Sequence, residues 1–122
     1  MTNRKRLAGV VLLLAALGAW TGIARADHFT GACATELNGV ETAIQTGIFV
    51  GKNASSAQSN LLAKLEAAAA KVRLGKFSDA VDKLQDISDT ATALADAQKP
   101  KLEDASQISG AVVTAIACVG GL

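Results

Sequence analysis

The chain has 122 residues, of which 50% are hydrophobic and 3% aromatic, and its formal net charge is +1. This length allows one domain at most. Neither this charge nor the value of −3 that remains after removal of the predicted leader, residues 1–26, provides the basic surface that nucleic-acid binding requires. The only Trp, Trp20, lies within the predicted leader, and the other aromatic residues are three Phe and no Tyr. Base-stacking platforms and aromatic cages for cations are therefore nearly excluded from the processed chain.

The first 26 residues have the pattern of a secretory signal peptide. Residues 4–6 read Arg-Lys-Arg, residues 7–23 are almost wholly apolar, and residues 24–26 read Ala-Arg-Ala. This order of charge, apolar run and small-x-small motif predicts cleavage before Asp27 and export to the periplasm or outside the cell. The apolar run is shorter than the about 20 residues of a typical membrane span. No stable membrane insertion is therefore expected after cleavage, and an uncleaved anchor is the alternative.

Cleavage at this point leaves residues 27–122 as one domain. It removes four of the 12 basic residues and none of the 11 acidic ones, so eight stand against 11. The processed chain keeps two cysteines, Cys33 and Cys118, near its two ends. An exported protein favours a disulfide, and this one would close a loop of 86 residues, counting both cysteines. Two free thiols or an intermolecular bridge remain the alternatives.

Apolar residues recur at helical spacing in four segments, at about 31–49, 55–74, 77–97 and 101–119. Thr30 is a candidate N-cap for the first segment. The acidic residues Glu103 and Asp104 are expected in the first turn of the fourth, where they favour the helix dipole. The predicted apolar stripes, in chain order, are Cys33, Leu37, Val40, Ile44 and Ile48; Gln58, Leu61, Leu65, Ala68 and Val72; Phe77, Ala80, Val81, Leu84, Ile87, Ala91 and Leu94; and Leu102, Ala105, Ile108, Val112, Ile116 and Val119.

The stretch "RLGKFSDAVDKLQDI" at 73–87 predicts a sharp helical turn. Gly75 is the expected left-handed cap of the second helix. Phe77 and Ala80 then begin the next apolar stripe and allow the two helices to pack closely. The stretch also resembles the turn of a tetratricopeptide unit, although no second 34-residue copy appears.

Four helices with short connections predict an all-α fold, an antiparallel up-down bundle. In that arrangement the start of the first helix and the end of the fourth lie at the same end of the bundle. Cys33 and Cys118 then meet, so the helix count and one disulfide support each other.

A longer resemblance covers residues 37–119, which are similar to the FIMAH domain, a small all-helical module of secreted bacterial proteins. Its features are Gly47-Ile48, Lys52-Asn53, Lys64-Leu65, Gly75 with Asp79-Ala80, and Lys101-Leu102. The chain departs from the family pattern because it stands alone and carries a cysteine near each end. The resemblance implies a helical fold and export, and no activity.

The sequence offers few groups for chemistry. The only histidine, His28, is expected outside the bundle as a solvated residue, with copper chelation beside a free amino terminus as the alternative. No catalytic residues, metal ligands or cofactors are therefore predicted.

The aspartates of the third segment and three apolar residues off the stripes are the remaining side chains with predicted positions. The aspartates of the third segment are expected to form a solvated face. Phe49, Leu62 and Leu74 lie off the main stripes and either widen the core or form an exposed apolar patch.

The hypothesis from sequence is an exported, non-enzymatic module that binds a protein or envelope component through its helix faces. The alternative is a small carrier with an apolar ligand or cofactor in the core of the bundle.

Overall fold

The computed structural model describes residues 28–122, which form four α-helices. These are α1 Ala34–Thr46, α2 Ala54–Arg73, α3 Phe77–Asp96 and α4 Ser106–Gly120. The predicted all-α fold is confirmed. The predicted leader, residues 1–26, lies outside the described residues.

Each helix packs against its neighbours in the chain, and α4 also packs against α1. Because successive helices run in opposite directions, this closes an antiparallel ring of four helices around one core. The helical stripes supply that core, which bulky aliphatic side chains fill together with small alanines. The largest fully buried side chains are Leu37, Val40, Ile44, Leu61, Leu65, Leu84, Ile87, Leu102, Ile108, Val112 and Val119.

A disulfide joins Cys33 to Cys118, as predicted, with their Cα atoms 5.9 Å apart. The expected N-cap at Thr30 is wrong. Cys33 itself occupies the position before α1 in a left-handed conformation, and its carbonyl accepts a hydrogen bond from the Leu37 amide at 2.9 Å. The disulfide therefore ties the residue that precedes α1 to α4.

The turn between α2 and α3 is as tight as the sequence indicates. Gly75 has φ +75°, a conformation that side chains with a Cβ disfavour. The Lys76 amide donates to the Lys71 carbonyl at 2.9 Å, and the Gly75 amide donates to the Val72 carbonyl at 3.0 Å. This pair of bonds is a Schellman motif, which satisfies the last carbonyls of α2.

Two loops pair with each other at the opposite end of the bundle from the disulfide. Phe49 and Leu102 form an isolated antiparallel bridge. The Val50 amide donates to the Lys101 carbonyl at 2.9 Å, and the Glu103 amide donates to the Ile48 carbonyl at 3.0 Å. Backbone groups committed to this bridge cannot also belong to a helix. The predictions that the first helix reaches residue 49 and that the fourth starts at residue 101 are therefore wrong.

Asp104 lies one residue before Ala105, the N-cap residue of α4, and its side chain caps the first amide of the helix, which corrects its predicted place in the first turn. Its carboxylate accepts the Ser106 amide at 2.9 Å and the Ser106 hydroxyl at 3.0 Å. These two hydrogen bonds hold the pKa of Asp104 below its usual value. A carboxylate in this position satisfies an amide that the first turn of the helix leaves free.

Candidate functional site

The cysteines and the turn residues predicted from the sequence stabilise the helical bundle. Cys33 and Cys118 are bonded to each other, so their sulfur atoms are not thiolates that could act as nucleophiles or bind a metal. Glu36 lies beside the two sulfurs. At the turn, Phe77 packs half-buried against the core and Ala80 is fully buried. The sequence predicted these positions, and both features hold helices together at one end of the bundle.

The aspartates of α3 face solvent, as predicted. The members of this face, all exposed, are Asp79, Asp82, Asp86, Asp89 and Asp96. The Lys64 ammonium of α2 lies 2.7 Å from the Asp86 carboxylate. That hydrogen bond lowers the pKa of Asp86. The contact ties α2 to α3 at the surface, where ion pairs contribute less than about 1 kcal/mol.

His28 is the main departure from the expected site. It was predicted to be solvated and outside the bundle, and it instead lies between two carboxylates. Its Nδ1 is 3.2 Å from Oε2 of Glu41 on α1, and its Nε2 is 2.5 Å from Oε2 of Glu66 on α2. The imidazole thus connects the segment before α1 to both helices of the first hairpin.

Glu41 is the only charged residue that is buried among residues 28–122, with 7% of its surface exposed. Burial of a carboxylate is costly unless a partner compensates its charge. The side chain within ion-pair distance of it in the described chain is the imidazole of His28, 3.2 Å away. The arrangement therefore places a half-exposed imidazole beside a buried carboxyl group.

The segment that carries His28, residues 28–32, forms a strap across α1 and α2. Phe29 inserts into the core and is almost fully buried. The Asn38 side chain of α1 accepts a hydrogen bond from the Phe29 amide and donates one to the Phe29 carbonyl, both at 3.0 Å. A cleft of about 430 Å³ lies beside the strap and is lined by residues 29–32 together with Leu37 of α1 and Val72 of α2. The strap is thus held by apolar, polar and ionic contacts.

A second concavity, the α1–α4 groove, lies near the bridged loops and has a volume of about 270 Å³. Ile48 is 58% exposed beside it because α1 ends before this residue, which corrects its predicted place in the core stripe. Exposed carboxylates of Glu103 and Asp104 form one edge. The residues that line the groove are Ala43, Thr46, Gly47, Ile48, Glu103, Asp104, Gln107 and Ile108.

The three apolar residues that lie off the predicted stripes were expected either to widen the core or to form an exposed patch. Phe49 and Leu62 pack partly buried against the core, so they widen it. Leu74 is exposed at the turn between α2 and α3. The three residues therefore do not form one exposed apolar patch.

The sequence contained a signal for the cluster around His28, although it was missed. Glu41 follows Val40 directly and lies four residues after Leu37, so it shares the inward face of α1. A carboxylate on that face requires a partner. The identity of the partner depends on tertiary contacts, because Glu66 lies 38 residues from His28 in the chain.

The described residues define a class of fold, a disulfide-linked antiparallel bundle of four helices. Across residues 28–122 no helix combines the length and apolar character needed to span a membrane. Comparison of the chain with protein-family models, curated proteins and solved structures found no match.

Proposed function

We propose that this protein is an exported, non-enzymatic module that binds a protein of the cell envelope through the α1–α4 groove. The observation that carries the proposal is the exposure of Ile48 beside an acidic edge. An apolar side chain open to solvent and flanked by carboxylates suits a partner segment that is both apolar and basic. A peptidoglycan or lipid component of the envelope is the competing occupant.

The surroundings of the groove support a preformed binding surface. The bridge between Phe49 and Leu102 ties the two loops that supply the groove, and the Asp104 cap holds the start of α4. A surface held by backbone hydrogen bonds loses little conformational entropy when a partner docks, which favours affinity.

The chemistry of the described residues supports the absence of catalysis in this proposal. Nucleophilic catalysis needs a base beside a hydroxyl or thiol. Both ring nitrogens of His28 instead face carboxylates, and the two cysteines are bonded to each other. Measurable turnover of a hydrolase or redox substrate that a single substitution abolishes would contradict the proposal.

Export remains part of the proposal. It rests on the signal-peptide pattern of residues 1–26 and agrees with the disulfide, since disulfides persist in oxidising compartments. The resemblance to the FIMAH domain remains a hypothesis that agrees with the helical fold. Amino-terminal sequencing of the protein from the periplasm or medium of its host tests the cleavage predicted before Asp27.

The binding proposal is tested by capture from envelope extracts of the native host with quantitative mass spectrometry. The test variant combines Ile48→Lys with Glu103→Lys, which inverts both features of the groove. The control is Val113→Lys, because Val113 is 65% exposed on α4 and does not line the groove. We expect wild type and control to enrich the same protein, and the groove variant to lose about tenfold or more of it.

Three results would contradict the binding proposal. One is equal enrichment by all three proteins, another is enrichment of no protein by wild type, and the last is retention on purified peptidoglycan or lipid vesicles alone. Circular dichroism of each variant separates loss of binding from loss of fold.

A carrier of an apolar ligand is the second candidate function. The observation that favours it is the cleft of about 430 Å³ beside the strap, which falls within the usual size range of ligand pockets. A carrier purified from its host brings a small molecule that native mass spectrometry detects as added mass. A partner-binding module arrives without one.

A further inference from the structure

We propose that the partner of the α1–α4 groove is a second copy of this protein, which inserts its turn between α2 and α3 into the groove. The inference rests on the proposed function, since it takes the groove as the binding surface and names the partner. It starts from two exposed features at opposite ends of the bundle, an apolar side chain between basic residues and a groove with an acidic edge.

The turn between α2 and α3 has both features that the groove requires of a partner. Leu74 is 67% exposed there, and Arg73 and Lys76 beside it are exposed as well. Residues 73–76 are called the basic tip. Neither Arg73 nor Lys76 belongs to an ion pair within the described part of the chain. The basic tip therefore presents one apolar side chain between two positive charges that no carboxylate of the same copy compensates.

The groove is complementary to the basic tip. Glu103 and Asp104 line it, and no basic residue does. Within residues 28–122 these two carboxylates also belong to no ion pair. Ile48 supplies the exposed apolar surface beside them. When Leu74 of a second copy covers Ile48, apolar burial and opposite charges both favour the contact.

The size of the groove favours a side chain over a free ligand. Its volume of about 270 Å³ lies below the range of about 300–1,000 Å³ that is usual for small-molecule sites. The basic tip is also open to an approaching molecule, because no atom lies within 4 Å of a Cβ placed on Gly75. One leucine at the outside of a tight turn can therefore reach the groove without a change in either copy.

The positions of the two surfaces decide how copies associate. The basic tip lies at the end of the bundle that carries the disulfide, and the groove lies at the other end beside the bridged loops. In the ring of four helices the α2–α3 pair also lies across the core from the α1–α4 pair. No single face presents both surfaces, so two copies cannot exchange basic tips reciprocally. Each copy instead binds one neighbour through its basic tip and another through its groove, which produces chains or rings.

The expected association is weak and sensitive to salt. A contact between one turn and one groove falls in the class below about 1,200 Å² of buried surface, in which complexes are transient. Its charges lie at the surface, where ions screen them. The association constant should therefore fall by about threefold or more when NaCl is raised from about 0.05 to about 0.5 M.

Sedimentation velocity of the protein isolated after export of the full-length chain tests the proposal. Between about 1 μM and 1 mM the average mass of wild type should rise above that of a monomer. Two variants should associate at least about tenfold more weakly: Leu74→Asp, which places a carboxylate against the acidic edge, and the groove variant with Ile48→Lys and Glu103→Lys. The control Val113→Lys changes an exposed residue outside both surfaces and should behave as wild type.

A mixture of the two variants gives the sharper test. Leu74→Asp keeps an intact groove, and the groove variant keeps an intact basic tip. Each alone should remain monomeric, and an equal mixture should form a dimer that grows no further, because only one functional contact is available to each copy. Nonspecific association does not predict a species that stops at two copies. Circular dichroism confirms that each variant is folded.

Three results would overturn the inference: a monomeric wild type at every concentration, a mixture of the variants that stays monomeric, or association of Leu74→Asp equal to that of wild type. The proposed function is judged separately, by capture from extracts of a host that lacks this gene. Groove-dependent enrichment of another envelope protein by a monomeric wild type would refute self-association and leave the proposed function standing. If wild type neither associates nor captures a protein, both fail.

Discussion

Phe49 and Leu102 face each other across an antiparallel bridge at the end of the bundle opposite the disulfide. Leu102 is fully buried although it belongs to no helix, and Phe49 packs against the core beside it. The bridge joins the loop after α1 to the loop before α4. The first and last helices, α1 and α4, are therefore linked by backbone hydrogen bonds at one end of the bundle and by the disulfide at the other.

The disulfide is expected to stabilise the bundle without directing its helices. Cys33 and Cys118 are 85 residues apart, and the loss of loop entropy in the unfolded chain amounts to at most about 4–5 kcal/mol for a loop of this size. Replacement of both by serine should lower the thermal midpoint and leave the helical circular dichroism intact at low temperature. Mass spectrometry without reductant should show a monomer two hydrogens lighter than the reduced chain. Two alkylatable thiols in the native protein would contradict the bond.

Substitution by alanine at Gly75 and at Gly110 should change the free energy of unfolding in opposite directions. Gly75→Ala forces a Cβ into a left-handed conformation and should cost about 1 kcal/mol of unfolding free energy. Gly110→Ala, inside α4 with no atom within 4 Å of the added Cβ, should add about 0.5–1 kcal/mol because alanine favours helix. Urea unfolding of both variants measures the difference. A stabilising Gly75→Ala would show that the Schellman turn is not the native conformation.

The cap of α4 should make stability depend on pH in the acid range. The pKa of Asp104 is lowered in the folded protein from an ordinary value of 3.8. Its contribution is therefore complete above that ordinary value and is lost as the pH falls through the lower folded pKa. Asp104→Asn keeps an acceptor for the Ser106 amide and removes the charge. We expect this variant to have a lower thermal midpoint than wild type at pH 6, and the gap to close toward pH 2.

The matched control for the cap is Glu103→Gln, which removes the neighbouring carboxylate and leaves the hydrogen bonds of Asp104 in place. This variant should keep the acid dependence that Asp104→Asn loses. If Asp104→Asn instead followed wild type at every pH, Asp104 would not supply the acid-sensitive part of the stability.

The sequence predicted α2 and α3 closely, because their limits are set by local signals. Gly75 ends one and Phe77 begins the other, as in the structure. The predicted ranges of α1 and α4 were longer than the observed helices. Apolar residues continue at helical spacing through Ile48 and from Leu102, so the local pattern does not reveal that these residues pair with each other. Backbone hydrogen bonds between two loops that are distant in the chain decide whether these residues extend a helix or form the bridge.

The sequence by itself determined the helical class and most of the apolar faces, because both follow from the spacing of residues along one chain. It predicted the pairing of Cys33 with Cys118, and the structure decided between that pairing and its alternatives. Only the tertiary structure decided that His28 meets Glu41 and Glu66, and that Ile48 lies at the surface beside Glu103. Ion pairs and grooves form where separate helices bring side chains together. Their partners are set by the packing of the core, which positions groups regardless of their distance in sequence.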